Sequence, residues 1–140
     1  MFQLNQYKSL SHTKYLIQYH IVWCPKFRYN VIKEDIETRL KTIIQTICKQ
    51  YDFECIEIET MSDHIHVFIG AKPTIAPTRI VQILKSISAI ELFKTYPVLK
   101  KFYRRSGHLW SKGYFISTIG NVRAEAVKRY IKNQKSEVNF

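Results

Sequence analysis

Glycine and proline are scarce in this chain of 140 residues, four of each. They punctuate elements, and no Gly/Ser linker, internal repeat or low-complexity segment interrupts the sequence. The cysteines number three, Cys24, Cys48 and Cys55. The count is odd and no pair has CxxC spacing, which argues against zinc-finger geometry and against a disulfide framework. They read as small buried apolar residues in a reducing compartment, and none has an activating partner nearby in sequence. No apolar run approaches the roughly 18 residues that cross a bilayer. No signal peptide opens the chain, whose first ten residues are polar with a single lysine. The expectation is a soluble, cytoplasmic protein with no membrane partner. Acidic residues are also few, 11 against 22 lysines and arginines, for a net charge of +11. Such an excess suits a polyanion, most often nucleic acid. The charges are spread along the chain, so a folded basic surface is expected rather than a basic tail.

Apolar residues make up 46% of the chain, enough for one hydrophobic core and a single domain over 1–140, with 1–13 as a polar N-terminal segment. Tyr15, Ile17, Tyr19, Ile21 and Trp23 alternate, a strand signal that Pro25 ends. From Glu34 to Tyr51, Ile36, Leu40, Ile43, Ile44 and Ile47 form a helical stripe, with acidic residues in the first turn. Phe53 to Thr60 reads as a second strand, Met61-Ser62-Asp63 as a tight turn, and His64 to Ile69 as a third strand paired with the second. Pro77 suits the first turn of a helix with the stripe Ile80, Ile83, Leu84, Ile87 and Ile90. Tyr114 to Ile119 is a fourth strand. Gly120-Asn121 breaks it, and Asn121 can cap a last helix over about 121–136. Without that helix the order is βαββαβ. The predicted fold is therefore α+β, a ferredoxin-like or RRM-like antiparallel sheet with helices on one face. Its other face is open, as in domains that bind RNA on the sheet.

Two residues apart on a strand means the same face. Ile65, Val67 and Ile69 should face the helices, leaving His64, His66 and Phe68 on the open face. Imidazoles so spaced sit about 6–7 Å apart at the backbone and can reach one divalent ion, with positions left for other ligands, water or phosphate. His12, His20 and His108 lack such an arrangement and are given structural or surface roles. On the last helix Tyr130 and Gln134 stand four apart, beside the apolar stripe of Val127 and Ile131. That stripe is expected to pack on the open face of this sheet or of a second copy. Gln134 carries a hard oxygen ligand suited to Mg²⁺ or Mn²⁺. Tyr130 is a usable nucleophile where a cation favours its phenolate.

Asp63-His64-Ile65-His66-Val67-Phe68-Ile69 resembles the histidine–hydrophobe–histidine strand of single-tyrosine HUH endonucleases. Tyr130-Ile131-Lys132-Asn133-Gln134 resembles their catalytic helix. Leu109-Trp110-Ser111-Lys112-Gly113-Tyr114-Phe115 and Tyr19-His20-Ile21-Val22-Trp23-Cys24-Pro25-Lys26-Phe27-Arg28 fit the same pattern, in the same order, over most of the chain. The family is the TnpA-type transposases of small insertion sequences that move as single-stranded DNA. The resemblance implies that Tyr130 attacks a phosphodiester of single-stranded DNA to give a 5′-phosphotyrosine and a free 3′-hydroxyl, which later rejoins strands. It implies that His64, His66 and Gln134 hold Mg²⁺ or Mn²⁺, that the chain forms a homodimer, and that it binds imperfect hairpins. No nucleotide cofactor is expected, since the covalent link conserves the bond energy and no phosphate-binding glycine loop occurs. Lys26, Arg28, Arg79, Lys85, Arg104, Arg105 and Lys112 are the candidate DNA contacts. Two other readings are a domesticated relative that processes repeated palindromes and a non-catalytic single-strand-binding module stacking bases on Phe68.

Overall fold

The computed structural model describes residues 7–118 together with Ile131 and Lys132. The chain opens on a short hairpin, β1 (Lys8–Leu10) with β2 (Thr13–Tyr15). This takes up Tyr15, so the strand expected from Tyr15 begins instead as β3 (Gln18–Trp23). A single 3₁₀ turn, Lys26–Arg28, leads to α1 (Glu34–Gln50). Next come β4 (Glu54–Met61), β5 (His64–Gly70), α2 (Pro77–Thr95), α3 (Pro97–Phe102) and β6 (Phe115–Thr118). The short helix α3 was not legible in the apolar spacing. Pro97 starts it with a preset φ, just where Pro97 also ends α2.

The main sheet has the order β4-β5-β3-β6, and every neighbouring pair is antiparallel. This is the expected split βαβ arrangement, with β3 and β5 at the centre. β3 is buried on both faces: Ile21 and Trp23 join the core under the helices, and Val22 on the opposite face is fully covered as well. Ser62 and Asp63 link β4 to β5 as a two-residue hairpin loop, with Met61 paired to His64. A bulge between Cys55 and Glu57 interrupts the β4 register.

One layer of core lies between the sheet and the helices. Ile21, Trp23, Ile65, Val67 and Ile69 from the sheet meet Leu40, Ile43, Ile44 and Ile47 of α1 and Ile80, Ile83 and Leu84 of α2. The α2 stripe departs from expectation at its C-terminal end. Ser88 and Leu92 are the buried residues there, while Ile90 is 60% exposed. Ser88 is tied down because its hydroxyl accepts a hydrogen bond from the indole of Trp110 (3.0 Å). Among the described residues no helix is long and apolar enough to cross a membrane. The expected last helix, 121–136, lies outside the described residues except for Ile131 and Lys132, which are helical.

Ile65→Ala should destabilise the fold by about 2–5 kcal/mol in urea unfolding, because the side chain is fully buried and its removal leaves a cavity in the core. Ile90→Ala should stay within about 0.5 kcal/mol of the parent, since its side chain is mostly in water.

Candidate functional site

The alternation of β5 divides it as expected. Ile65, Val67 and Ile69 are fully buried, and His64, His66 and Phe68 are partly exposed on the opposite face. The two imidazole centroids are 5.0 Å apart and the rings are steeply inclined, at 68°.

Each histidine is held at its Nδ1. Asp63, in the hairpin loop, accepts from His64 Nδ1 at 2.8 Å. An ionised carboxylate can only accept, so the proton of neutral His64 sits on Nδ1 and Nε2 keeps its lone pair. The other carboxylate oxygen accepts from Arg28 Nε at 2.6 Å. Burial alone would raise the Asp63 pKa, but the hydrogen bonds from His64 and Arg28 outweigh it and hold the carboxyl below its usual range.

His66 Nδ1 lies 2.8 Å from Nε2 of His20. The sequence alone gives His20 a structural or surface role. In the sheet it stands on β3 opposite Phe68, stacked on the Phe68 ring at 4.3 Å and on His66 at 5.0 Å. Only the pairing of β3 with β5 brings it there, and no local signal in the sequence announces that register. Burial, and then the neighbouring imidazole, lower both His20 and His66 to a pKa of about 4. Both are neutral near pH 7, the form that binds metals. For His66 to offer Nε2 to an ion, its Nδ1 must donate to His20. The His20 proton is then on its own Nδ1, which is buried and has no partner among the described residues.

The donor set is thus two imidazoles, each with Nδ1 engaged and with no Nε2 contact among the described residues, so that each could turn Nε2 to a divalent ion. This is the orientation that partners of metal-binding histidines impose. Among the described residues no group of three or more His, Cys, Asp or Glu side chains is gathered for a metal. Two nitrogens suit an ion that completes its shell with oxygens from water, phosphate or an amide. Tyr130 and Gln134 lie outside the described residues. Their neighbour Ile131 is described, and its carbonyl accepts from Arg28 Nη1 at 3.2 Å.

The seven basic candidates do not form one patch. Arg28 belongs to the histidine site. Lys26, Arg79, Lys85 and Lys112 line a groove of about 1190 Å³ along α2, together with Phe93 and Tyr114. None of the histidines of the cluster lines this groove. Lys85 is engaged within the fold. Its ammonium donates to the carbonyls of Ser111 (2.7 Å), Gly113 (2.9 Å) and Lys112 (3.4 Å) and so fixes the groove wall. Arg104 and Arg105 are exposed on the turn after α3 and do not line the groove.

Known proteins resemble this chain over most of its length. The family described as Transposase IS200 like matches residues 13–134. The ISDra2 transposase TnpA of Deinococcus radiodurans is 37% identical over 121 residues, covering 86% of this chain and 85% of that protein. The transposase for insertion sequence element IS200 of Salmonella typhimurium is 31% identical over 130 residues, 93% of this chain and 84% of its own. A crystal structure of a Deinococcus radiodurans R1 protein assigned as a transposase matches with a TM-score of 0.84 at 31% identity, over 91% of this chain and 97% of that one. A REP-associated tyrosine transposase bound to a REP hairpin shares the fold, with a TM-score of 0.50 at 12% identity over 88% of this chain and 68% of that one.

The histidine cluster gives folding a pH dependence with a definite sign. An unperturbed histidine takes up its proton near pH 6.5, whereas His20 and His66 in the folded site do so only at about 4. Between those values the unfolded chain binds more protons, so the stability these groups allow is present above pH 6.5 and is lost as the pH falls toward 4. Denaturant midpoints measured across that window should drop with acidification, and His20→Gln should flatten the slope. An unchanged slope in that variant would contradict the depressed His20 pKa.

Proposed function

The chain belongs to the IS200-like transposases, and from that premise we propose that it cuts and rejoins single-stranded DNA through Tyr130. The phenol oxygen of Tyr130 attacks a phosphodiester phosphorus. The bond from phosphorus to the 3′-oxygen breaks, the oxygen takes a proton, and the 5′-phosphate remains on tyrosine. A 3′-hydroxyl then attacks that phosphotyrosine, forms a new phosphodiester and returns the proton to the phenol. One phosphodiester is exchanged for another, so no nucleotide is consumed.

The observation that carries this reading is the histidine pair, with both Nδ1 atoms engaged by Asp63 and His20 on the face of the sheet away from the core. His64 and His66 would hold a divalent ion, Mg²⁺ or Mn²⁺, and Gln134 is the proposed third ligand. When bound, the ion supplies positive charge beside the scissile phosphate and lowers the barrier to attack by an anionic oxygen. Burial keeps His66 neutral and ready to ligate. Phe68 stacks on His20 and adds an aromatic ring on the same face, of the kind on which unpaired bases stack. The proposal includes a homodimer and recognition of a DNA hairpin by the basic groove along α2. Support for the hairpin comes from the charge of that groove and from the REP-hairpin-bound structure that shares the fold.

A labelled hairpin-bearing strand with Mn²⁺ or Mg²⁺ should give a covalent protein–DNA adduct on a denaturing gel. Tyr130→Phe should abolish the adduct while preserving binding. An adduct that persists would assign the nucleophile to another residue. His66→Ala should slow cleavage on the order of 10²–10³-fold, as does loss of one charge-stabilising group elsewhere, and a chelator should do the same to the parent.

Binding itself should divide the basic residues. Arg79→Ala or Lys112→Ala is expected to weaken hairpin binding and to reduce the salt slope by about one counterion, read by titrations at several salt concentrations. Arg104→Ala should change neither.

A further inference from the structure

Arg28 is a candidate DNA contact by sequence, and in the fold its guanidinium makes two hydrogen bonds within the protein. It donates from Nε to Asp63 and from Nη1 to the carbonyl of Ile131. Asp63 in turn accepts from His64 Nδ1. A chain of three hydrogen bonds therefore runs from a proposed metal ligand to the residue that directly follows Tyr130 in the sequence. The three bonds join segments that are otherwise far apart along the chain: the 3₁₀ turn, the β4–β5 loop and the C-terminal segment.

The backbone beneath Arg28 is set for this. Phe27 and Arg28 both adopt left-handed conformations, with φ of 60° and 54°. Neither is glycine, so both are strained and persist only because their surroundings over-determine them. The restraints are visible. Lys26 N donates to Leu109 O (2.7 Å), Arg28 N to Pro25 O (2.8 Å), and the Tyr103 hydroxyl to Lys26 O (3.1 Å). From this turn the guanidinium reaches Asp63 and the carbonyl of Ile131. The pair it makes is also unlike an open-surface ion pair. The Arg28 and Asp63 side chains are only 23% and 18% exposed, and His64 is 13% exposed, so solvent screens them weakly.

We propose that Arg28 and Asp63 form a positioning latch that sets the C-terminal segment carrying Tyr130 in register with the His64–His66 pair. The proposal rests on the reading of Tyr130 as nucleophile and of the histidines as metal ligands. Within that reading, Asp63 has two tasks: it fixes the His64 tautomer and it anchors Arg28. Arg28 couples that fixed point to the main chain beside the phenol. Both act through other residues and neither touches DNA. The planar fork of arginine is required, because an ammonium cannot present two donors in that fixed geometry.

Arg28→Ala and Arg28→Lys test this against a phosphate-contact role. With saturating DNA, single-turnover adduct formation should slow about 10–100-fold in both, the usual cost of removing such a supporting partner, with hairpin affinity within about twofold of the parent. A phosphate contact would instead lower affinity, leave the saturated rate unchanged and be rescued by lysine; that result would overturn the latch. Two readouts need no cleavage. Amide hydrogen exchange at Ile131 and Lys132 should accelerate in Arg28→Ala, and unchanged exchange would overturn the coupling. Mn²⁺ affinity of the DNA-free protein, followed by electron paramagnetic resonance, should fall in Asp63→Ala and hold in Arg28→Ala; equal affinity in all three would remove Asp63 from the metal site. Thermal melts check folding, and Arg28→Lys serves if Arg28→Ala melts uncooperatively. Tyr130→Phe should exchange like the parent while forming no adduct. If it still forms one, the nucleophile assignment fails and the exchange result continues to judge the latch.

Discussion

Successive side chains of an extended strand leave by opposite faces, and in β5 that constraint does two things at once. Ile65, Val67 and Ile69 are committed to the core, where each is fully buried against the helices. The same commitment presents His64, His66 and Phe68 on the other face, in fixed order and spacing. A one-residue slip would bury two imidazoles under α1 and α2 and expose three large apolar side chains. The core therefore defines the register of the site. The position of the histidines inherits the rigidity of a four-stranded sheet rather than the freedom of a loop.

The chemistry on that face depends on partial burial. Two imidazoles in water would titrate near neutrality. Here desolvation by the strands around β3 and β5 drives His20 and His66 down to about 4, so the neutral, metal-binding form dominates. Burial also makes the choice of tautomer consequential. Asp63 dictates it for His64, because a carboxylate has no proton to give. For His66 the partner is another imidazole, and the tautomer that frees His66 Nε2 leaves His20 Nδ1–H without a partner among the described residues. An ion at His66 would favour that tautomer, so metal binding and the proton position on His20 are linked.

Positive charge is divided by location into different tasks. Lys26, Arg79 and Lys112 line an open groove along α2, where a polyanion can be held by charge. Lys85 lines the same groove but directs its ammonium to three backbone carbonyls, shaping the wall from within. Arg28 lies by the histidines and balances Asp63. The net charge of +11 is thus spread over residues in different settings, a groove wall, backbone contacts and an ion pair, which composition cannot separate.

The sequence by itself determined what local periodicity encodes. Alternation in 64–69, the stripes of the two long helices and the proline and hairpin signals between them specify a split βαβ sheet with an open face, and place His64 and His66 on it. Short-range signals failed where tertiary context prevailed: Tyr15 went to a separate hairpin, α3 followed Pro97, and Ile90 yielded its place in the core to Leu92. Only the tertiary structure decided the partners of the site. His20 meets His66 across 46 residues, Arg28 meets Asp63 across 35, and Arg28 meets Ile131 across 103. Such contacts arise from strand register and from a strained turn clamped by distant hydrogen bonds. Both are properties of the assembled sheet, and no window of neighbouring residues carries them.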